Sequence, residues 1–165
     1  MGGYLDRVAK GTEFTPADLT QLDGLIAKLT APPGRFERLS KSFRWISAKP
    51  AGGEPDVSVD VGIEERVLNL VVTTTGFEPG RALIPTLGER GVTTPQGWQL
   101  MADVGWVIGW RAPGDLPPER VLRFGFEVVR GLRLEPDDGR WVARFEARPP
   151  NECERSRTSI TSGER

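Results

Sequence analysis

The sequence contains no histidine and a single cysteine, and these two shortages exclude several kinds of active site. Without imidazole there is no Ser-His-Asp or Cys-His catalysis and no histidine base near neutral pH. The commonest zinc ligand is missing, and Cys153 has no second cysteine for a shared metal or an internal disulfide. We therefore expect no catalytic residue, no metal site and no cofactor, with catalysis by carboxylates or lysine as the exception left open.

A long apolar run, a leader-like N-terminus and a strong net charge are also missing. No run approaches the roughly 20 apolar residues of a membrane span, and MGGYLDRVAKG lacks the continuous apolar segment of a signal peptide. The net charge of −1 leaves no overall field that would attract nucleic acid or an anionic membrane. We predict a cytoplasmic protein that binds neither nucleic acid nor membrane.

The 165 residues suit one domain of ordinary size. We place that domain at residues 15–148, behind a loosely ordered N-terminus over residues 1–14. Residues 149–165 have almost no apolar content and are expected to be a disordered tail.

Apolar residues at helical spacing predict two main helices. In the first, Thr15 is expected to cap and Pro16 to take the first helical position. The second runs over 116–134 and is expected to be capped by Asp115. A shorter helix is expected over 80–89, interrupted by Pro85.

Alternating apolar and polar residues predict the strands. DVSVDVGIEERVLNLVVTTTG has the pattern of a hairpin, and its second half is apolar on both faces, as in an inner strand. FRWISAK predicts a strand before this hairpin, and RWVARFEA predicts a last short strand near the end of the chain.

The segment GWQLMADVGWVIGW allows two interpretations. Residues 94–104 could form a helix capped by Thr94, or WQLMA could pair with WVIGW around a turn at 103–105. Because aromatic residues are enriched and Gly97 lies near the start, the hairpin is the preferred prediction.

Helices and hairpins in this order predict an α+β protein with two layers. We expect an antiparallel sheet of five to six strands packed against two main helices and one short helix. The order helix, three strands, helix, two strands, helix over 15–134 resembles the type III secretion chaperone and YbjN-like superfamily. The resemblance implies a small non-catalytic protein that binds another polypeptide, without a cofactor.

Three tryptophans lie close together in the chain, at Trp98, Trp106 and Trp110. Buried aromatic side chains dominate both cores and interfaces, so the three could fill the core or line a binding groove. Strand alternation places Trp106 and Trp110 on one face. We predict that both are mostly core and that Trp98 is the surface contact.

The most basic region follows these tryptophans, with Arg120, Arg123 and Arg130 on the polar face of the second main helix. Nearby carboxylates largely offset the charge, so a solvated face with salt bridges is the simpler interpretation. A docking face for an acidic partner is the functional alternative.

These features favour a chaperone-like, protein-binding module that holds a client on a sheet face or in a Trp-containing groove, either alone or as a homodimer. An immunity or antitoxin protein that blocks a toxin is the second hypothesis, because it also needs no catalytic residues. A small-molecule-binding domain with an aromatic pocket is the third.

Overall fold

The computed structural model describes residues 11–32, 34–35, 43–64 and 66–148. The strands of this part are β1 (Thr12–Phe14), β2 (Phe43–Pro50), β3 (Val57–Glu64), β4 (Val67–Thr74), β5 (Gln99–Asp103), β6 (Val107–Arg111) and β7 (Trp141–Arg148). Its α-helices are α1 (Asp23–Thr30), α2 (Ile84–Glu89) and α3 (Pro118–Gly131). A 3-10 helix, Leu19–Leu22, precedes α1.

The seven strands form one antiparallel sheet in the order β1-β7-β2-β3-β4-β6-β5. The predicted α+β class and the antiparallel sheet are confirmed, but the sheet has seven strands instead of five to six. The additional strand is β1, in a segment that the sequence placed in a loosely ordered N-terminus. Backbone pairing with β7 and burial of Phe14 fix β1 in place, and neither is visible in local composition.

Alternation along the inner strands directs one set of side chains to the helices. Ile46 and Ala48 of β2, Val59 of β3 and Leu70 of β4 are fully buried on that face. Helix α3 packs over β3 and β4, whereas α1 packs over β2 and β7. The core therefore lies between the sheet and one layer of helices, as the sequence predicted.

The first helix begins later than predicted. Thr15 does not cap it, because the side chain of Asp18 accepts a hydrogen bond from the Thr20 backbone N–H at 3.2 Å and starts the 3-10 turn. Pro16 lies before that turn. Asp18 competes with Thr15 as a cap, and capping aspartate is at least as favourable as threonine.

The other two helices also begin differently from the prediction. Pro85 lies in the first turn of α2 and begins this helix rather than interrupting it, since a first-turn N–H has no helical partner to lose. The carboxylate of Asp103 accepts from the backbone N–H groups of Leu83 (2.7 Å) and Ile84 (3.0 Å) at the start of α2. Helix α3 has Pro117 at its cap position, so Asp115 is not the cap.

The preferred hairpin interpretation of 94–104 is confirmed, because β5 and β6 pair across the turn. The pairing register shifts at Met101, between Leu100 and Ala102. One residue is therefore inserted into β5, which is the outermost strand of the sheet. Simple alternation does not hold across this bulge.

The predicted tail at 149–165 lies outside the described residues. Among the residues that the structure does describe, none of the helices is both long enough and apolar enough to cross a membrane.

Candidate functional site

The hairpin of β5 and β6 separates the three tryptophans into three environments. Trp110 is 1% exposed, as predicted for a core residue. Its ring packs edge-to-face on Phe124 of α3 with 5.1 Å between ring centroids. Its indole Nε1–H donates a hydrogen bond to the Thr94 hydroxyl at 3.1 Å, so the polar atom of this buried ring is satisfied.

Trp106 is 44% exposed, and the prediction that it belongs to the core is wrong. It lies in the turn before β6, where its carbonyl oxygen accepts a hydrogen bond from the Thr74 N–H at 2.9 Å. Residues at alternate positions, such as Trp106, Ile108 and Trp110, share a face of the sheet only as far as the strand extends. Trp106 has the alternate spacing but precedes the strand, so the spacing does not place it in the core.

Trp98 is half-buried and lies directly before β5. Its ring also packs edge-to-face on Phe124 of α3, with 5.0 Å between the two ring centroids. The Trp98 backbone N–H donates to the Pro95 carbonyl at 3.2 Å and holds the approach to the strand. One side of the indole is thereby anchored in the core while the other lines a surface groove.

This groove, which we name the Trp98 groove, has a volume of about 420 Å³ between α3 and the segments on either side of the β5–β6 hairpin. Its apolar wall includes Trp98, Leu116 and Phe124. Its charged rim comes from α3. The complete lining is Pro95, Gln96, Trp98, Pro113, Leu116, Arg120, Arg123, Phe124 and Glu127.

The structure brings Arg120 and Arg123 together with Trp98 at this groove. Both arginines are exposed, and they lie three residues apart on α3, where side chains are surface neighbours. Neither guanidinium forms a hydrogen bond or ion pair with another described residue. Glu127, the third charged residue of the lining, leaves one net positive charge on the rim (two arginines, one glutamate).

Arg130, also predicted as a partner contact, lies instead beside a second groove of about 380 Å³. We name it the Trp141 groove; its apolar wall includes Phe126, Val129 and Trp141. Arg130 Nε lies 2.8 Å from Glu135 Oε1, so its charge is paired at the groove mouth. On the predicted basic face of α3, the charges of Arg120 and Arg123 are therefore unpaired within the described structure, whereas that of Arg130 is paired.

The edge strand extends the apolar surface next to the Trp98 groove. Leu100 pairs with Trp110 across the β5–β6 ladder and so lies on the helix-covered face of the sheet. Leu100 and Met101 are nevertheless 42% and 51% exposed. An edge strand has an unpaired side, and among the described residues none pairs with the outer side of β5.

Sequence reasoning missed Leu116, Leu100 and the two wall prolines, Pro95 and Pro113. The prolines were visible as breaks on either side of the hairpin, and that position is the signal that could have found them. Leu100 lies within the predicted strand WQLMA, but its exposure depends on β5 being the edge of the sheet, which a single sequence does not reveal.

The carboxylates of Asp56, directly before β3, and Asp60, within β3, have local hydrogen-bond partners. Asp56 Oδ2 accepts a hydrogen bond from the Thr75 hydroxyl at 3.0 Å, and Asp60 Oδ2 accepts one from Ser58 at 3.1 Å. Within the described ranges, no three histidine, cysteine, aspartate or glutamate residues are placed together to hold a metal ion.

In comparisons with known proteins, no protein-family model, no curated protein and no solved structure matches this chain. A functional inference therefore depends on the chemistry of the chain's own grooves.

Proposed function

We propose that this protein is a non-catalytic, chaperone-like binding module that holds a polypeptide segment of its partner in the Trp98 groove. The observation that carries the proposal is the combination at that groove of an aromatic anchor with two arginines that have no intramolecular partner among the described residues. Tryptophan and arginine are among the residues that are enriched at the contacts that dominate protein–protein binding energy.

The position of Trp98 favours binding with little loss of conformational entropy. Its ring is already held against Phe124, at 5.0 Å between centroids, and its backbone is tied to Pro95. A ring held in this way loses little rotamer freedom when a partner covers its second face. The groove wall is preorganised and does not need to fold around its ligand.

Exposed apolar side chains beside the groove favour a ligand longer than one small molecule. Leu100 lies on the same sheet face as the groove, and Met101 follows it on the edge strand. A small molecule would be surrounded by its pocket, whereas a polypeptide segment could continue from the groove along this edge. The apolar surface outside the groove is consistent with the second kind of ligand.

The ionisable groups of the groove favour binding over catalysis. Arg120 and Arg123 line the groove with guanidinium groups, which donate hydrogen bonds and offer no acceptor atom for a general base. Glu127 is the remaining ionisable side chain of the lining, and it has no histidine to work with anywhere in the chain. Fixed positive charges beside an aromatic wall are suited to recognition.

A polypeptide-binding role is also what the resemblance to the type III secretion chaperone and YbjN-like superfamily implies. In this proposal the protein acts in the cytoplasm. An immunity role differs only in that the bound polypeptide is a toxin, and the identity of the partner separates the two.

Affinity capture of the tagged full chain from its native host tests the proposal. We expect one stoichiometric polypeptide to be retained by the wild type and lost with Trp98→Ala. Trp106→Ala is the matched control, because it removes an indole that is more exposed but lies outside the groove. An empty wild-type eluate, or equal losses from both variants, would contradict the proposal.

A further inference from the structure

Building on the proposed function, we infer that the segment held in the Trp98 groove is acidic, with a large apolar side chain next to its carboxylates. The carboxylates would contact Arg120 and Arg123, and the apolar side chain would pack on Trp98. This assigns a chemical class to the partner, whereas the proposed function assigns only the kind of molecule.

Charge complementarity is the first reason. Arg120 and Arg123 project from the same side of α3, and neither is paired with a described residue. Two like charges at this spacing repel each other in a helix, and Glu127, four residues after Arg123, offsets only part of the positive charge. A carboxylate ligand would relieve that repulsion and gain charge-assisted hydrogen bonds, which are the strong ones in proteins.

Spacing gives the expected pattern of the segment. Side chains at positions i and i+3 on a helix lie about 5–6 Å apart at Cβ. In an extended chain, side chains at alternate positions face the same way and are about 6.6 Å apart, twice the rise of one residue. Two acidic residues at alternate positions could therefore each meet one arginine, with an apolar residue near them on the indole.

The chain's own segments outside the described structure lack part of this pattern. Residues 149–165 place Glu152 and Glu154 at alternate positions, but no large apolar residue adjoins them, and three arginines offset the three glutamates of the segment. Residues 1–10 contain one aspartate against one arginine and one lysine, and residues 36–42 contain one glutamate against the same two types of cation. None of these segments is acidic, which favours a separate polypeptide as the occupant.

The Trp141 groove does not offer the same chemistry. The cation at its mouth, Arg130, is already paired with Glu135 at 2.8 Å. A carboxylate ligand would have to displace a carboxylate that is held within the same chain and would gain little. Acidic recognition is therefore assigned to the Trp98 groove alone.

Selection from a displayed library of random peptides tests the inference with the full-length protein. The wild type should enrich peptides that contain acidic residues next to leucine or an aromatic residue. The double variant Arg120→Glu/Arg123→Glu should enrich basic peptides instead. A synthetic peptide from the wild-type selection should bind the double variant at least about tenfold more weakly, because the peptide loses charge-assisted hydrogen bonds and meets like charges instead.

Arg81→Glu/Arg111→Glu is the matched control. It changes the net charge by the same amount at two exposed arginines that line neither groove. This control should retain the wild-type preference and the wild-type affinity within about twofold, once salt screens the long-range field. If both double variants lose the peptide equally, the effect is one of net charge and the inference is overturned.

The outcomes separate this inference from the proposed function. Peptides that need Trp98 but show no acidic preference would overturn the acidic class and leave polypeptide binding intact. If no peptide is enriched, or if Trp98→Ala does not alter the enrichment, the proposed function itself fails. Arg120→Gln/Arg123→Gln should weaken the acidic peptide without introducing new repulsion, and equal thermal unfolding of all variants excludes misfolding as the cause.

Discussion

The two grooves beside α3 are built from matching aromatic triads but differ in charge. At the Trp98 groove, Phe124 lies between Trp98 and Trp110; at the Trp141 groove, Phe126 lies between Phe14 and Trp141. In each triad the neighbouring rings meet edge-to-face with 5.0–5.6 Å between centroids. The aromatic packing alone does not distinguish a binding site from a structural one.

What distinguishes the grooves is their position in the sheet and the pairing of their charges. Trp141 belongs to β7, which lies between β1 and β2. At the mouth of the Trp141 groove, the charge of Arg130 is paired with that of Glu135. Trp98 precedes β5, the outermost strand, and the arginines beside it have no partner among the described residues. The proposed function therefore depends on unpaired charge at a sheet edge and not on the aromatic packing that the two grooves share.

Replacing Trp141 with alanine should have the largest effect on stability. The ring is 1% exposed and contacts Phe126, so its removal leaves a large cavity in the core. We expect the free energy of unfolding to fall by about 3–5 kcal/mol. Urea denaturation followed by circular dichroism measures the change, and a loss below about 1 kcal/mol would show that Trp141 is not a structural counterpart of Trp98.

Gly105→Ala should distort the turn that joins β5 to β6, at the end of the hairpin opposite to Trp98. Gly105 has φ +84°, and a Cβ atom would lie 2.2 Å from the Glu78 carbonyl oxygen. We expect a loss of about 2 kcal/mol, from strain at a positive φ and from the backbone contact.

Gly114→Ala is the control for this prediction, because no atom lies within 4 Å of the added Cβ and the backbone there is not in the left-handed region. It should change the unfolding free energy by less than about 0.5 kcal/mol. If the two variants are equally stable, the loop at 78–81 does not hold the hairpin turn in the way the structure indicates.

Much of the fold could be predicted from local patterns, and the failures have identifiable physical causes. Alternation found β3 and β4, and aromatic enrichment favoured the β5–β6 hairpin over a helix. β1 was missed because three residues have no measurable period and gain their stability from pairing with β7. The buried position of Arg44 was also missed. Its guanidinium donates hydrogen bonds to the backbone carbonyls of Lys28 (3.1 Å) and Ala31 at the C-terminal end of α1.

The candidate site was only partly accessible to sequence reasoning, for a similar reason. Trp98, Arg120 and Arg123 were all named, but that they meet at one groove depends on the packing of α3 against the hairpin. The same helical face also predicted Arg130, whose partner Glu135 lies after the helix ends. This ion pair depends on how the chain turns after the helix, so a helical pattern alone cannot distinguish paired from unpaired arginines.

Trp98→Ala should reduce stability less than Trp141→Ala does, although both residues contact a phenylalanine of α3. Because Trp98 is only half-buried, less apolar surface returns to water, and we expect a loss of about 1–2 kcal/mol. The measurement is the same urea denaturation. A loss equal to that of Trp141→Ala would mean that Trp98 is a core residue, and the contrast between the two grooves would disappear.

Glu135→Gln should have the smallest effect and bears most directly on the charge contrast. Glu135 and Arg130 are 50% and 75% exposed in their side chains, so solvent screens their attraction. Exposed ion pairs contribute about 0–1 kcal/mol, and a double-mutant cycle with Arg130→Gln should give a coupling energy of about 0.3–0.5 kcal/mol that decreases as salt is added. A coupling energy above about 1 kcal/mol would mean that the ion pair stabilises the fold substantially at the mouth of the Trp141 groove. A coupling energy near zero would mean that Arg130 is as available as Arg120 and Arg123, and the charge distinction between the two grooves would then fail.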